Sequence, residues 1–101
     1  MNPLACNLAA MTPAQRANYE TQKERLRTAI QETKDLPDGY AFHFASEPNL
    51  LVAVAEFIEG ERQCCAFYTF HLEVAPNNGG IWLRITGPED TKAFIKDAFG
   101  L

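Results

Sequence analysis

The sequence predicts a single α+β domain whose elements follow the order α-β-α-β-β-α. Three observations carry this prediction: a strong helix start at Thr12, alternating apolar and polar residues in 67–74 and 81–86, and an Asn- and Gly-rich turn between those two segments. We expect a three-stranded, mainly antiparallel sheet of order 1-3-2 with helices on one face, which is a ferredoxin-like arrangement lacking its fourth strand, together with an N-terminal helix.

The N-terminal helix is predicted over residues 12–34, after an irregular lead of residues 1–11 that carries Cys6. Thr12 is a capping residue, Pro13 stands where its missing N–H costs nothing, and Gln15 completes a capping box. The apolar stripe of this helix is thin. We therefore expect it to pack along one side of the domain or against a second subunit.

The remaining elements follow from turn signals and periodicity. They are a turn at 36–39, a strand at 40–45, a helix starting at 46–48, a strand at 67–74, a hairpin turn at 76–80, a strand at 81–86 and a final helix starting at 87–90. The sheet face away from the helices would show His43, Thr69, His71, Trp82 and Arg84, an amphipathic surface that the N-terminal helix or a partner subunit could cover.

Length, charge and composition argue against several classes of function. The 101 residues are enough for one domain, 1–101, and the net charge of -4 argues against a nucleic-acid partner, which would require a basic face. The longest apolar run, 50–55, is far too short to span a bilayer, and no signal peptide is apparent at the N-terminus. We expect a cytoplasmic protein whose three cysteines are reduced, without a disulfide framework.

The candidate site is a pair of adjacent cysteines, Cys64 and Cys65, with Glu61 three and four residues upstream. Thiolates favour soft metal ions, and a carboxylate beside a thiol raises the thiol pKa unless a metal or a proton lies between them. This favours a site for Zn²⁺, Cu(I) or Hg(II) over a free nucleophile. Adjacent thiols need further ligands: Cys6, or the two histidines. Whether 61–65 continues the helix or forms a loop stays open.

Other interpretations stand beside the metal site. Free cysteine is among the most buried residue types, so the pair is also interpreted as packing residues. The amphipathic sheet face predicts a non-catalytic homodimer that buries Trp82, His71 and the N-terminal helix, which is compatible with a metal site near such an interface. A thiol redox enzyme using Cys65 is disfavoured, because the pair lacks a CxxC spacing and Arg62 is the only basic residue beside it. No Gly-rich phosphate loop, Ser-His-Asp arrangement or HExxH zinc helix occurs in the sequence.

Several segments together resemble a group of small uncharacterised bacterial proteins. These segments are Cys6-Asn7-Leu8, Met11 to Arg16, Leu36 to Tyr40, Glu61 to Phe67, and Ile81-Trp82-Leu83 with Thr86 to Glu89, of which the ERxCCxF and TGPE pieces are the most specific. Ala66 stands where that group is expected to have proline. The resemblance implies a bacterial source, and it groups Cys6 with Cys64 and Cys65 as one three-thiol site.

Overall fold

The computed structural model describes residues 11–77, 79–99 and 101 of the chain. Within these residues the elements follow the order α-β-β-α-β-β-α. Their bounds are α1 (Pro13–Ala29), β1 (Ile30–Leu36), β2 (Gly39–Phe44), α2 (Leu50–Cys64), β3 (Thr69–Val74), β4 (Ile81–Thr86) and α3 (Thr91–Phe99). None of the described helices combines the length and the apolar character that crossing a bilayer requires.

The four strands form one sheet of order β1-β2-β4-β3, in which every neighbouring pair is antiparallel. β2 and β3 both run antiparallel to β4, so they are parallel to each other and α2 provides the connection between them. One face of the sheet contributes Phe42, Phe44, Leu83 and Ile85 to the core, where each is almost fully buried. The three helices bury their apolar residues in the same core cluster.

The prediction of a three-stranded, ferredoxin-like sheet is wrong, because β1 adds a fourth strand at the N-terminal edge. The predicted first helix includes residues 30–34, yet the observed helix ends at Ala29, and Ile30 takes up an extended conformation with φ -65° and ψ 124°. The polar segment 31–35 has no helical apolar face to bury. The two-residue turn at 37–38 allows residues 30–36 to pair with β2. The hydrogen bonds between the two strands therefore outweigh the local helix propensity of this segment.

The two central strands of the sheet, β2 and β4, approach closely at Gly39. A Cβ added at this position would lie 1.9 Å from the backbone oxygen of Ile85, so any larger residue would displace the neighbouring strand. Glycine is therefore required where β1 turns into β2.

The predicted start of α1 is confirmed. The Thr12 hydroxyl accepts a hydrogen bond from the Gln15 backbone N–H, and the Gln15 side chain accepts one from the Thr12 N–H. The helix buries Tyr19 and Leu26 and packs against α2. It thus lies on the core side of the sheet, and does not cover the other face.

The second helix begins later than predicted, at Leu50, after Asn49 in the left-handed conformation (φ 65°). Its end answers the question that the sequence left open. Glu61 to Cys64 form the last helical turn, and the backbone N–H of Cys65 donates to the Glu61 carbonyl at 2.6 Å. This turn holds the candidate site.

Candidate metal centre

The structure brings Glu61, Cys64 and Cys65 together at the end of α2. One ligand atom from each of the three residues lies within 4.8 Å of the others, and the two sulfur atoms are 3.5 Å apart. The residues are buried, with exposed fractions of 2%, 4% and 1%. Within the part of the chain that the structure describes, this is the group of side chains with the composition and proximity of a metal-ligand set.

The two sulfur atoms are close because the helix ends between them. Successive side chains of an α-helix point about 100° apart, which would separate adjacent thiols. Cys64 is the last helical residue, whereas Cys65 has φ -121° and ψ 70° and leaves the helical path. The change of backbone direction turns the Cys65 side chain back toward its neighbour, which the sequence alone did not indicate.

The two cysteines differ in oxidation state. Cys64 is a free, buried thiol, whereas Cys65 is disulfide-bonded. The expectation that all cysteines are reduced is therefore wrong for Cys65. Disulfide connectivity cannot be deduced from the sequence alone.

Tyr19 of α1 completes the surroundings of Glu61. Its buried hydroxyl donates a hydrogen bond to Glu61 Oε1. The second carboxylate oxygen, Oε2, is also buried and has no hydrogen-bond partner among the described residues. A buried carboxylate oxygen without a partner is costly, so it marks a place where a proton or a cation would be stabilised.

The electrostatics of the cluster favour neutral, protonated groups while no cation is bound. Burial raises the pKa of Glu61, although the hydrogen bond from Tyr19 and the positive charge of Lys23 oppose this shift. Burial, followed by the nearby Glu61 carboxyl group, raises the pKa of the Cys64 thiol to about 11. Burial and Glu61 also raise the pKa of Tyr19. Cys64 is therefore a poor nucleophile near neutral pH.

A pocket of about 220 Å³ gives access to the cluster. Its walls are formed by α1, α2, the segment leading into β3, and α3. Besides the cluster and Tyr19, it is lined by Glu20, Lys23, Tyr68, Phe94 and Ala98. A small molecule or a hydrated ion could therefore reach the Cys64 thiol from solvent.

The other predicted ligands are not brought to this cluster. His43 and His71 lie on the opposite face of the sheet, where the His43 ring packs 4.7 Å from the Trp82 ring, centroid to centroid. Cys6 falls outside the residues that the structure describes.

The sequence reading missed Tyr19 as a site residue, because it was counted with the apolar stripe of α1. Its phenol group was the available signal, since a buried tyrosine hydroxyl needs a partner.

Comparison of the chain with protein-family models, with curated proteins and with solved structures finds no match. The resemblance to the small bacterial group with the ERxCCxF motif stays a prediction.

Proposed function

We propose that the reduced protein binds a thiophilic metal ion through Cys64, Cys65 and Glu61, and that it acts in metal handling or sensing. The observation that carries the proposal is a buried set of two sulfur atoms and one carboxylate whose Oε2 has no partner among the described residues. A cation at this position would satisfy that oxygen and compensate the negative charge of the thiolates.

The role of Tyr19 supports a carboxylate ligand. Metal-ligating carboxylates are commonly oriented by a hydrogen bond from a second residue. Tyr19 donates to Oε1 of Glu61 and leaves Oε2 unbonded. One oxygen is thus held by the protein while the other stays available to an ion.

The separation of the sulfur atoms favours Zn²⁺ over a linear two-thiolate ion. Two thiolates on a tetrahedral Zn²⁺, with Zn–S bonds of about 2.3 Å, have sulfur atoms about 3.8 Å apart, whereas a linear arrangement with the same bonds needs about 4.6 Å. Cys64 and Cys65 are at 3.5 Å. Cys65 is disulfide-bonded in this structure, so the comparison applies once it is reduced. Starting from this separation, a tetrahedral Zn²⁺ site requires a smaller shift of the two sulfur atoms than a linear Cu(I) or Hg(II) site.

Reduction of Cys65 is a condition of the proposal. A sulfur in a disulfide is not a thiolate ligand, and its release requires two electrons and two protons from a reductant such as a cellular dithiol. In a reducing compartment such as the cytoplasm, both thiols would be available. A fourth ligand would come from the pocket, as water or a small molecule, or from Cys6.

The test is native mass spectrometry of tag-free protein reduced with a phosphine under anaerobic conditions and titrated with Zn²⁺. We expect one Zn²⁺ per chain. Cys64→Ser should abolish the adduct, and Glu61→Gln should weaken binding by at least about tenfold. His71→Asn is the matched control, because His71 is exposed on the opposite face of the sheet. This variant should bind Zn²⁺ as the wild type does.

Two results would contradict the proposal. One is a metal-free mass for reduced wild type at every Zn²⁺ concentration. The other is an unchanged adduct when Cys64 and Cys65 are both replaced by serine. A Cys6→Ser variant separates the three-thiol site from the two-thiol site, since only the former loses affinity on this substitution.

A further inference from the structure

The sheet has a second face, opposite the core, which we call the open face. Its central side chains are exposed or half-buried, apart from the small Ala41. They are Glu32, Lys34, Ala41, His43, His71, Glu73, Trp82 and Arg84. No helix of the described residues buries these side chains, since the helices contribute to the core on the other side.

Strand register arranges the open face in two rows that run across all four strands. Residues paired across antiparallel strands point to the same face, so the pairings define the rows directly. The first row is Glu32–His43–Trp82–Glu73. The second row is Lys34–Ala41–Arg84–His71.

The two rows carry opposite charge. The first row has two carboxylates at its ends, and the second has a lysine and an arginine together with a histidine. The open face is therefore formally neutral, with two acids and two strong bases, although the whole chain has a net charge of -4. A neutral surface with separated rows of opposite sign is complementary to a second copy of itself.

We propose that the open face binds the open face of a second copy of this chain, about a two-fold axis that lies in the interface and crosses the strands midway between the rows. This operation places the first row of one copy over the second row of the other. The strands of the two sheets then run nearly aligned, as in sheet-on-sheet packing. The facing pairs are Glu32 with the partner's Lys34, Glu73 with the partner's His71, Trp82 with the partner's Arg84, and His43 with the partner's Ala41.

These pairs are favourable contacts of known types. Glu32 and the partner's Lys34 form an ion pair that is repeated by symmetry. Arg84 over the partner's Trp82 is a cation–π contact. In the single chain Lys34 Nζ lies 4.7 Å from the Trp82 ring centroid, so the dimer requires Lys34 to move from this ring to the partner's Glu32 as Arg84 takes its place. The alternative axis, parallel to the strands, would place Glu32 over the partner's Glu73. Like charges disfavour that arrangement.

The size of the face predicts a weak dimer. Four strands about 4.8 Å apart and about 20 Å long present roughly 400 Å² per copy, which is about half the area of a standard stable interface. We expect association that depends on protein concentration and weakens with salt, because rim ion pairs are screened.

The test is sedimentation equilibrium of the full chain, reduced and with a chelator, from micromolar to millimolar concentrations. We expect a monomer–dimer equilibrium that Glu32→Lys weakens by at least about tenfold, since it sets lysine against the partner's Lys34. The double variant Glu32→Lys/Lys34→Glu restores opposite charges across the axis and should recover the dimer. Glu47→Lys changes net charge equally at an exposed site off this face, and should leave the equilibrium unchanged.

Three outcomes would overturn the proposal. A monomer at every concentration means that no second copy binds, whatever else covers the face. A dimer that Glu32→Lys leaves unaffected would place the contact elsewhere, such as the edge of β3, where Leu72 and Val74 are exposed. Failure of the double variant to recover association, while its circular dichroism and unfolding midpoint match those of the wild type, would exclude the two-fold arrangement.

Discussion

The hydroxyl of Tyr19 donates a buried hydrogen bond to Oε1 of Glu61, which joins α1 to the last turn of α2 across 42 residues of sequence. Beside this contact the aromatic ring of Tyr19 stacks on Phe57, with ring centroids 6.0 Å apart. The packing of the first helix and the geometry of the candidate site therefore depend on the same residue.

Replacing Tyr19 by phenylalanine should lower the free energy of unfolding by about 1–3 kcal/mol, because Glu61 would then have no hydrogen bond to either buried oxygen. Urea denaturation of the metal-free protein measures the change. Tyr40→Phe is the control, since Tyr40 is half-buried and lies away from the cluster, and it should change stability by less than about 0.5 kcal/mol. Equal effects of the two substitutions would show that the Tyr19 hydroxyl contributes nothing specific.

The raised pKa of Glu61 predicts how stability depends on pH. An unfolded glutamate has a pKa of about 4.3, and below that pH both the folded and the unfolded state are protonated at this residue. As the pH rises above about 4.3, the unfolded chain loses this proton before the folded protein does. The stabilisation that is present at low pH therefore decreases progressively, and it is fully lost once the pH exceeds the raised pKa of Glu61 in the folded state.

The measurement is the free energy of unfolding of metal-free wild type minus that of Glu61→Gln, from about pH 4 to about pH 8. We expect this difference to fall as pH increases, because glutamine cannot ionise. Subtraction removes the contributions of the other carboxyl groups and the histidines. A difference that stays constant, or that grows with pH, would mean that burial does not disfavour the charged form of Glu61.

Substitution of Gly39 tests the close approach of β2 and β4. Gly39→Ala should destabilise the protein by about 2–4 kcal/mol, because the new Cβ would clash with the Ile85 backbone oxygen, which cannot move without distorting the sheet. Gly79→Ala is the comparison, since its nearest neighbours lie at 3.0 Å in an exposed turn, and it should cost no more than about 1 kcal/mol. Similar midpoints of thermal unfolding for the two variants would contradict this assignment.

The parts of the fold that the sequence predicted are those with strong local signals. The Thr12–Gln15 capping box and the strand at 81–86 are found at the predicted positions. β1 was missed because its residues 31–35 are polar and exposed, so neither helix nor strand periodicity distinguishes them. Only the pairing with β2, a tertiary effect, decides their conformation.

The sequence predicted which residues form most of the candidate site, but it did not predict the full geometry of that site. The spacing of Glu61, Cys64 and Cys65 predicted their proximity, given a helix that continues to residue 64. The convergence of the sulfur atoms depends on the non-helical backbone of Cys65, and the contribution of Tyr19 depends on helix–helix packing.

The most direct test of the account is X-ray absorption at the zinc edge of the reduced, Zn²⁺-loaded protein. We predict two sulfur scatterers at about 2.3 Å together with oxygen or nitrogen scatterers near 2.0 Å, and Cys64→Ser should lack this sulfur shell because that variant does not form the Zn²⁺ adduct. A third sulfur would identify Cys6 as a further ligand. A shell of oxygen and nitrogen alone, identical in wild type and Cys64→Ser, would contradict the proposed thiolate site.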